Sequence, residues 1–158
     1  MPIFDDTYWM RAALREAERA FELKEVPVGC VIVHENKIIG RGFNQREMLK
    51  DPTAHAEMIA ISAACQQMVS WRLEETVMYV TMEPCPMCAG AIVLSRIPRL
   101  VYGITDPKAG ACGTLYNITG DKRLNHVVEV VGGVMEDESR GLVQDFFKKL
   151  REEKSETR

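Results

Sequence analysis

The sequence lacks any long apolar run, and no stretch approaches the ~20 consecutive apolar residues that a transmembrane helix requires. The segment from Met1 to Arg11 is acidic and amphipathic, without the basic start and apolar centre of a secretory signal, so we expect no export. Excess positive charge is also missing, because 20 Lys and Arg face 23 Asp and Glu and the net charge is −3. This balance argues against a generally basic nucleic-acid-binding protein, although RNA binding depends on local patches.

Cysteine and histidine are scarce, with five and three residues among 158. In a chain without an export signal, these cysteines predict reduced thiols and metal ligands rather than disulfides, which favours a location in the cytoplasm. No second C-x-x-C occurs, and a structural zinc site normally needs four protein ligands. Cys30, Cys65 and Cys112 stand among Val, Ala and Gly and are predicted to be buried small residues. His34 and His126 have no ligand spacing.

One pattern in the chain does carry chemistry. His55-Ala56-Glu57 is followed by Pro84-Cys85-Pro86-Met87-Cys88, which is H-x-E and then P-C-x-x-C. One imidazole and two thiolates supply three zinc ligands and leave a fourth tetrahedral position for water. Glu57 then supplies the proton carrier that such a water needs. This combination is the known signature of zinc deaminases that act on nucleobases.

The spacing also predicts how the ligands meet. Cys85 and Cys88 are three residues apart and share a face at a helix start, which Pro86 favours as the first helical residue. His55 and Glu57 are two apart and would point to opposite sides of a regular helix. His55 is therefore predicted to lie at the start of the helix that contains Glu57, where its backbone need not be helical and its ring can turn toward the metal. Two helix N-termini are predicted to converge on one ion, outside the strand ends of an open sheet.

The predicted order of elements is α-β-β-α-β-α-β-β-α. We predict a single deaminase domain over residues 1–158 with a three-layer α/β/α fold, a central mixed five-stranded sheet and an N-terminal antiparallel hairpin. Residues 44–53 are predicted to form a loop and residues 152–158 a frayed tail. The predicted helices begin at Asp5 or Asp6, Ala54, Pro86 and Met135, and the predicted strands span 30–33, 37–43, 76–81, 100–103 and 126–131.

Beyond the zinc motif, the chain resembles bacterial tRNA-specific adenosine deaminases from about Tyr8 to Leu150. The resemblance implies a cytidine-deaminase-like fold, a homodimer, and conversion of the wobble adenosine of a tRNA anticodon, in an arginine tRNA, to inosine with release of ammonia. The resembling segments are Glu25–Gly29, Gly42–Asn44, Asp51–Glu57, Tyr79–Ala91, Ser95–Ile97, Asp106–Gly110, Leu124–His126 and Asp145–Phe147.

The resemblance also implies roles for individual residues. His55, Cys85 and Cys88 would hold one Zn²⁺ per chain, whose bound hydroxide would attack C6 of an extruded adenine while Glu57 shuttles protons. The other implied contacts with the substrate or RNA come from Asn44, Asp106, Lys108 and Phe147, and backbone contacts at the reacting oxygen come from Ala56 and Cys85.

Two alternatives remain open at this stage. A deaminase of a free base or nucleoside, such as guanine, would share the zinc motif but would not need the basic residues from Lys148 to Arg151 that follow Phe146 and Phe147. A zinc-stabilised RNA-binding module without catalysis would share the ligands. Glu57 argues against that module, because a structural site gains nothing from a nearby carboxylate that does not bind the metal.

Overall fold

The computed structural model describes residues 4–157 and contains every helix and strand in the predicted order. Met1–Ile3 of the predicted amphipathic start and Arg158 of the predicted tail lie outside the described residues. In the part of the chain that the structure describes, no helix is both long and apolar enough to cross a membrane. The elements are α1 (Asp6–Glu22), β1 (Gly29–His34), β2 (Lys37–Phe43), α2 (Arg46–Leu49), α3 (Ala56–Met68), β3 (Val77–Met82), α4 (Pro86–Leu94), β4 (Arg99–Ile104), β5 (Glu129–Val131) and α5 (Glu136–Glu156).

The predicted mixed sheet and its N-terminal hairpin are confirmed. The five strands are ordered β2-β1-β3-β4-β5, and β1 is antiparallel to both of its neighbours whereas β3, β4 and β5 are parallel. The turn between β1 and β2 places Glu35 and Asn36 at φ of 49° and 58°. Two successive left-handed residues form the turn whose twist suits a two-residue hairpin.

Helices cover both faces of the sheet, as predicted for three layers. Val31 and Val33 of β1 pack in a cluster with residues of α1, whereas Cys30 and Ile32 pack with residues of α3 and α4. Successive strand residues point to opposite faces, so one continuous apolar run in β1 supplies both cores. α5 lies on the same side as α1, where Met135 at its start joins the α1 cluster.

The strand directions place three chain segments at the side of the sheet where β2, β3 and β4 have their carboxyl ends. We call this side the carboxyl edge of the sheet. Because β1 is antiparallel to both β2 and β3, these two strands run in the same direction, and β4 shares it. The residues that follow Phe43, Met82 and Ile104 therefore leave the sheet at the same edge. All predicted site residues before α5 lie in these three segments or in the first turns of the helices they lead into.

Gly42 seats the first turn of α3 against β2. A Cβ atom at this position would lie 2.2 Å from the carbonyl oxygen of Ala56 and 2.9 Å from the amide nitrogen of Ala60. Such contacts are too short for any side chain, so only glycine allows this approach. This contact sets the distance between α3 and the sheet. The positions of His55 and Glu57 relative to the strand ends therefore depend on it.

Several boundaries differ from those predicted from sequence. Residues 46–49 form the short helix α2 inside the predicted loop. α3 begins at Ala56 rather than near Ala54, with His55 as an extended residue before it. The predicted strand at 126–131 shortens to β5, because Val128 donates its backbone hydrogen bond to Thr119 in a loop rather than to a strand. α5 extends through Glu156, into the segment predicted to fray.

A cluster of three polar side chains ties the start of α1 to the sheet. Arg99 of β4 donates two hydrogen bonds of 2.8 Å to the carboxylate of Asp6. The hydroxyl of Tyr79 in β3 donates a third of 2.9 Å. The guanidinium of Arg99 holds the pKa of the Asp6 carboxyl below its ordinary value of 3.8. The ion pair therefore stabilises the folded state while Asp6 is ionised.

We expect Asp6→Asn to lower the free energy of unfolding at pH 7 by about 1 kcal/mol, a modest value because Asp6 and Arg99 are partly exposed. The contribution of a carboxyl with a lowered folded-state pKa is complete above about pH 5 and is lost as the pH falls through that pKa. Urea unfolding from pH 7 to pH 3 should show the difference between variant and wild type narrowing below about pH 4. Asp137→Asn, at an exposed position on α5, serves as the control. A difference that is independent of pH would contradict this account.

Candidate active site

His55, Cys85 and Cys88 meet at the carboxyl edge of the sheet. Their ligand atoms all lie within 4.8 Å of one another. His55 is the extended residue before α3, and Cys85 is the extended residue before α4, with Pro86 as the first helical residue. The predicted convergence of two helix starts is therefore confirmed. It places three potential ligands where unpaired backbone amides and the helix dipoles favour negative charge.

The geometry of this donor group fits zinc. A tetrahedral ion with Zn–N of about 2.0–2.1 Å and Zn–S of about 2.3 Å separates nitrogen and sulfur ligands by about 3.6 Å. The distances from His55 Nδ1 to the Sγ atoms of Cys85 and Cys88 are both 3.6 Å. Among residues 4–157, the group contains one imidazole and two thiols and no fourth donor, which is the composition of a site that keeps one position open.

The two thiols and the imidazole influence one another's protonation through hydrogen bonds. The hydrogen bond from Cys88 lowers the pKa of the Cys85 thiol to about 4, and the same contact raises the pKa of the Cys88 thiol. Hydrogen bonding to Cys85 raises the pKa of His55. A bound divalent cation would favour thiolates at both sulfurs and a neutral imidazole, so its binding would release protons.

Glu57 lies beside this group without being part of it. Its side chain is in the first turn of α3 and the residue is only 4% exposed. Burial is the main cause, and the charge on Cys85 a lesser one, that raises the pKa of the Glu57 carboxyl to about 7. A carboxyl group that ionises near neutral pH can both accept and donate a proton there.

A second group of potential ligands, His34, Glu35 and Glu75, also lies within 4.8 Å. Both carboxylates are exposed, and Nδ1 of His34 is 3.1 Å from the backbone carbonyl oxygen of Glu75. Such a contact accounts for the orientation of the imidazole without an ion. We therefore assign no metal to this group, in line with the sequence, which gave His34 no ligand spacing.

A cavity of about 470 Å³ opens above the donor group. Its volume lies within the range of pockets that hold small organic molecules. All of the residues predicted from sequence to bind substrate or RNA lie in its wall, as does Glu57. The lining consists of Val26, Val28, Asn44, Arg46, His55, Ala56, Glu57, Met82, Glu83, Cys85, Ile104, Thr105, Asp106, Pro107, Lys108, Ala109, Val143 and Phe147.

Asn44 and Asp106 stand on opposite walls and are held by backbone contacts. Asn44 donates from Nδ2 to the carbonyl oxygen of Val26 at 3.2 Å, and its Oδ1 lies 3.4 Å from the amide nitrogen of Arg46. Asp106 Oδ1 accepts hydrogen bonds from the amides of Lys108 and Ala109 at 2.9 and 3.2 Å. Both side chains therefore have defined positions before any ligand enters.

The two adjacent phenylalanines of α5 separate as the helical pattern predicts. Phe146 is 9% exposed and packs edge-on against Phe21, whereas Phe147 is 40% exposed and lines the cavity. The basic side chains that follow Phe147 on α5 are exposed. Phe147 thus offers an aromatic face at the mouth of the cavity, next to positive charge.

Sequence reasoning did not identify several lining residues, among them Arg46, Glu83 and Val143. Arg46 gave no signal because α2 is a single turn within an apparent loop. Val143 fits the apolar pattern of α5 and so gave no separate signal. Glu83 follows β3 and directly precedes Pro84 and Cys85. An acidic residue at the end of a buried strand could have indicated that Glu83 has a role in the site.

Comparison with known proteins gives the family. Residues 4–151 match the family model of the MafB19-like deaminases. The chain is 48% identical over 153 residues to the tRNA-specific adenosine deaminase of Bacillus subtilis, which covers 97% of this chain and 95% of that protein. The chain belongs to the tRNA-specific adenosine deaminase family. This confirms the resemblance drawn from the sequence motifs.

Solved structures agree with this assignment. A tRNA:A34 deaminase studied in A-to-I editing at the wobble position of transfer RNA superposes with a TM-score of 0.82 at 42% identity, covering 86% of this chain and 99% of that one. The guanine deaminase of Nitrosomonas europaea gives a TM-score of 0.79 at only 19% identity, covering 92% and 86%. The second likeness concerns the fold alone.

Proposed function

We propose that this protein is a zinc-dependent deaminase that converts adenosine to inosine at the wobble position of a tRNA anticodon, in an arginine tRNA, and releases ammonia. The observation that carries the proposal is the donor group of His55, Cys85 and Cys88 beside the buried Glu57, at the base of a cavity. The 48% identity to a tRNA-specific adenosine deaminase supports the choice of substrate. Such a substrate places the enzyme in the cytoplasm.

His55, Cys85 and Cys88 would hold one Zn²⁺ per chain. When bound, zinc acts as a Lewis acid that makes a water molecule nucleophilic near neutral pH. Two thiolates neutralise much of its charge, so the water needs a base close by. Glu57 occupies the first turn of α3, directly after the ligand His55, and is positioned to be that base.

Glu57 would move protons in both halves of the reaction. Its carboxylate would take a proton from the attacking water and deliver it to the purine ring nitrogen next to the carbon that is attacked. It would then take the remaining proton from the oxygen that has been added and pass it to the amino group, so that the carbonyl forms as ammonia leaves. The backbone amides of Ala56 and Cys85, at the starts of α3 and α4, would donate to the reacting oxygen as negative charge develops there.

Residues farther from the metal would select RNA. Asn44 would hydrogen-bond the purine, and Asp106 and Lys108 would contact the anticodon from the opposite wall. Phe147 would stack on a flanking base, with the exposed basic residues of α5 attracting the phosphates. An enzyme that acts on an extruded nucleotide needs both the stacking surface and the phosphate attraction.

We also propose a homodimer, which is supported by an exposed apolar surface at the ends of α3 and α4. Val69 is 90% exposed, and Trp71 and Leu94 are largely exposed as well. The guanidinium of Arg96, two residues after Leu94, lies 6.0 Å from the ring centre of Trp71, so the segment after α3 lies close to the segment after α4. Large exposed apolar side chains in a cluster are typical of an interface.

Light scattering should give a dimer mass for the wild type and a monomer mass for Leu94→Glu, because a charge would then be buried in the interface. A wild-type monomer would contradict the proposal.

The decisive assay offers the protein alternative substrates. We expect inosine at the wobble position of an arginine tRNA anticodon stem-loop, and no ammonia from free guanine, adenosine or cytidine. A free base lacks the flanking nucleotides that Phe147 and the basic side chains of α5 would bind. Ammonia from guanine without inosine in the stem-loop would instead favour a free-base deaminase, which shares this fold.

Phe147→Ala tests the RNA surface in the same assay. Because base stacking on an aromatic side chain is worth about 1–3 kcal/mol, the variant should raise KM for the stem-loop by roughly 5- to 150-fold. Leu124→Ala is the matched control, since Leu124 is similarly exposed but does not line the cavity. An unchanged KM in Phe147→Ala would remove Phe147 from the RNA interface.

Glu57→Gln separates catalysis from metal binding. We expect the variant to keep about one zinc per chain, because Glu57 is not a ligand, and to lose about 10²–10⁴-fold in kcat, because proton transfer is lost. Cys88→Ser should instead lose zinc together with activity. Elemental analysis and inosine formation measure the two quantities. A Glu57→Gln variant as active as the wild type would show that the proton path is different.

A further inference from the structure

The loop that follows β4 is organised by one buried carboxylate, Glu83. Its Oε1 accepts from the backbone amide of Asp106 at 3.1 Å and from the hydroxyl of Thr114. Its Oε2 accepts from the amides of Cys112 and Thr114 at 3.0 and 3.2 Å. Four donors from residues 106–114 thus converge on a side chain that is 2% exposed. A buried acceptor with four donors is costly to disturb, because each donor would be left without a partner.

Gly110 shows how closely this loop is wrapped around the carboxylate. A Cβ atom at Gly110 would lie 2.5 Å from both Cδ and Oε1 of Glu83, and 2.6 Å from the carbonyl oxygen of Asp106. The loop is also tied to the metal motif itself, because the amide of Ala111 donates to the carbonyl oxygen of Pro84 at 2.9 Å. Pro84 immediately precedes the ligand Cys85.

We propose that Glu83 is a positioning residue, which fixes the cavity wall of Asp106 and Lys108 at a set distance from the metal ligands. It acts through the loop, since its oxygens are occupied by loop donors. Glu83 and Cys85 are two residues apart, so one short segment connects the reacting centre to the wall. The role in substrate binding rests on the proposed function, whereas the role in ordering the loop does not.

Glu83→Gln tests this inference with little change in shape. An amide offers one acceptor oxygen instead of two, and its NH₂ group would face at least one backbone N–H whichever way it is turned. Amide hydrogen exchange at Asp106, Cys112 and Thr114 should accelerate by about tenfold, because these donors lose their acceptor. Exchange in the paired strands β1 and β3 should stay as in the wild type, and zinc content should stay at about one per chain.

Steady-state kinetics distinguish a positioning role of Glu83 from a catalytic one. With the stem-loop as substrate, KM should rise about tenfold while kcat stays within about threefold, because a displaced wall weakens binding more than it alters the reacting centre. Gly110→Ala should reproduce this pattern by pushing on the same carboxylate. Gly141→Ala, where a Cβ meets open space, should leave KM and exchange unchanged.

A second buried carboxylate provides a matched control. Glu25 accepts hydrogen bonds from the amides of Glu47 and Met48 at 3.0 and 2.8 Å, in α2, the helix that also contains the lining residue Arg46. Glu25→Gln should accelerate exchange there and leave residues 106–114 unchanged.

Three results would overturn the inference about Glu83. They are unchanged exchange in residues 106–114, acceleration spread equally over β1 and β3, and a fall in kcat with KM unaltered. A wild-type protein that deaminates no stem-loop would refute the proposed function instead, and the exchange measurements on Glu83→Gln and Glu25→Gln would still decide the ordering role. If Glu83→Gln does not fold, Gly110→Ala and Thr114→Val, which removes one donor, provide the same comparison.

Discussion

The common direction of β2, β3 and β4 is the constraint on which the rest of the site depends. It brings Asn44, Glu83 and Asp106, each one or two residues beyond a strand end, to the same edge of the sheet. The antiparallel β1 lies between β2 and β3 and runs opposite to both, so these two strands end on the same side of the sheet. Ligands in open α/β sheets bind outside such carboxyl ends. Here α3 and α4 begin at that edge, so their N-terminal amides and dipoles face the same space.

The N-termini of α3 and α4 also explain how three groups that can carry negative charge lie close together in a buried site. The carboxyl of Glu57 and the thiols of Cys85 and Cys88 are within the first turns of two helices, where unpaired N–H groups offset part of the desolvation cost. The remaining cost is visible in the raised pKa of Glu57. A divalent cation bound among these groups would offset this cost, so metal binding and the stability of this edge of the sheet are expected to be coupled.

The sequence was most informative where chemistry and spacing act locally. His55, Cys85 and Cys88 were identified because one imidazole and two thiols at helix starts have few other uses, and the separation of Phe146 from Phe147 follows from helical periodicity. It was least informative where the cause is tertiary. Nothing next to Glu83 in the chain indicates that Asp106, Cys112 and Thr114 will bond to it, and β5 is short because Val128 finds its partner in a distant loop. Arg46 was missed because one turn of helix leaves no periodic pattern.

The reacting centre and the walls of the cavity are built by different parts of the fold. The guanine deaminase likeness at 19% identity shows that the same sheet and layers persist when most side chains differ. Strand directions and helix starts suffice to build the reacting centre, whereas the walls come from the segments after β2 and β4 and from α5. The segments after β2 and β4 are each held in part by a buried carboxylate, Glu25 or Glu83, in addition to their backbone contacts with the sheet. Substrate selection can therefore change through the residues of these segments that face the cavity, while the strand directions and helix starts that position His55, Glu57 and the cysteines stay the same.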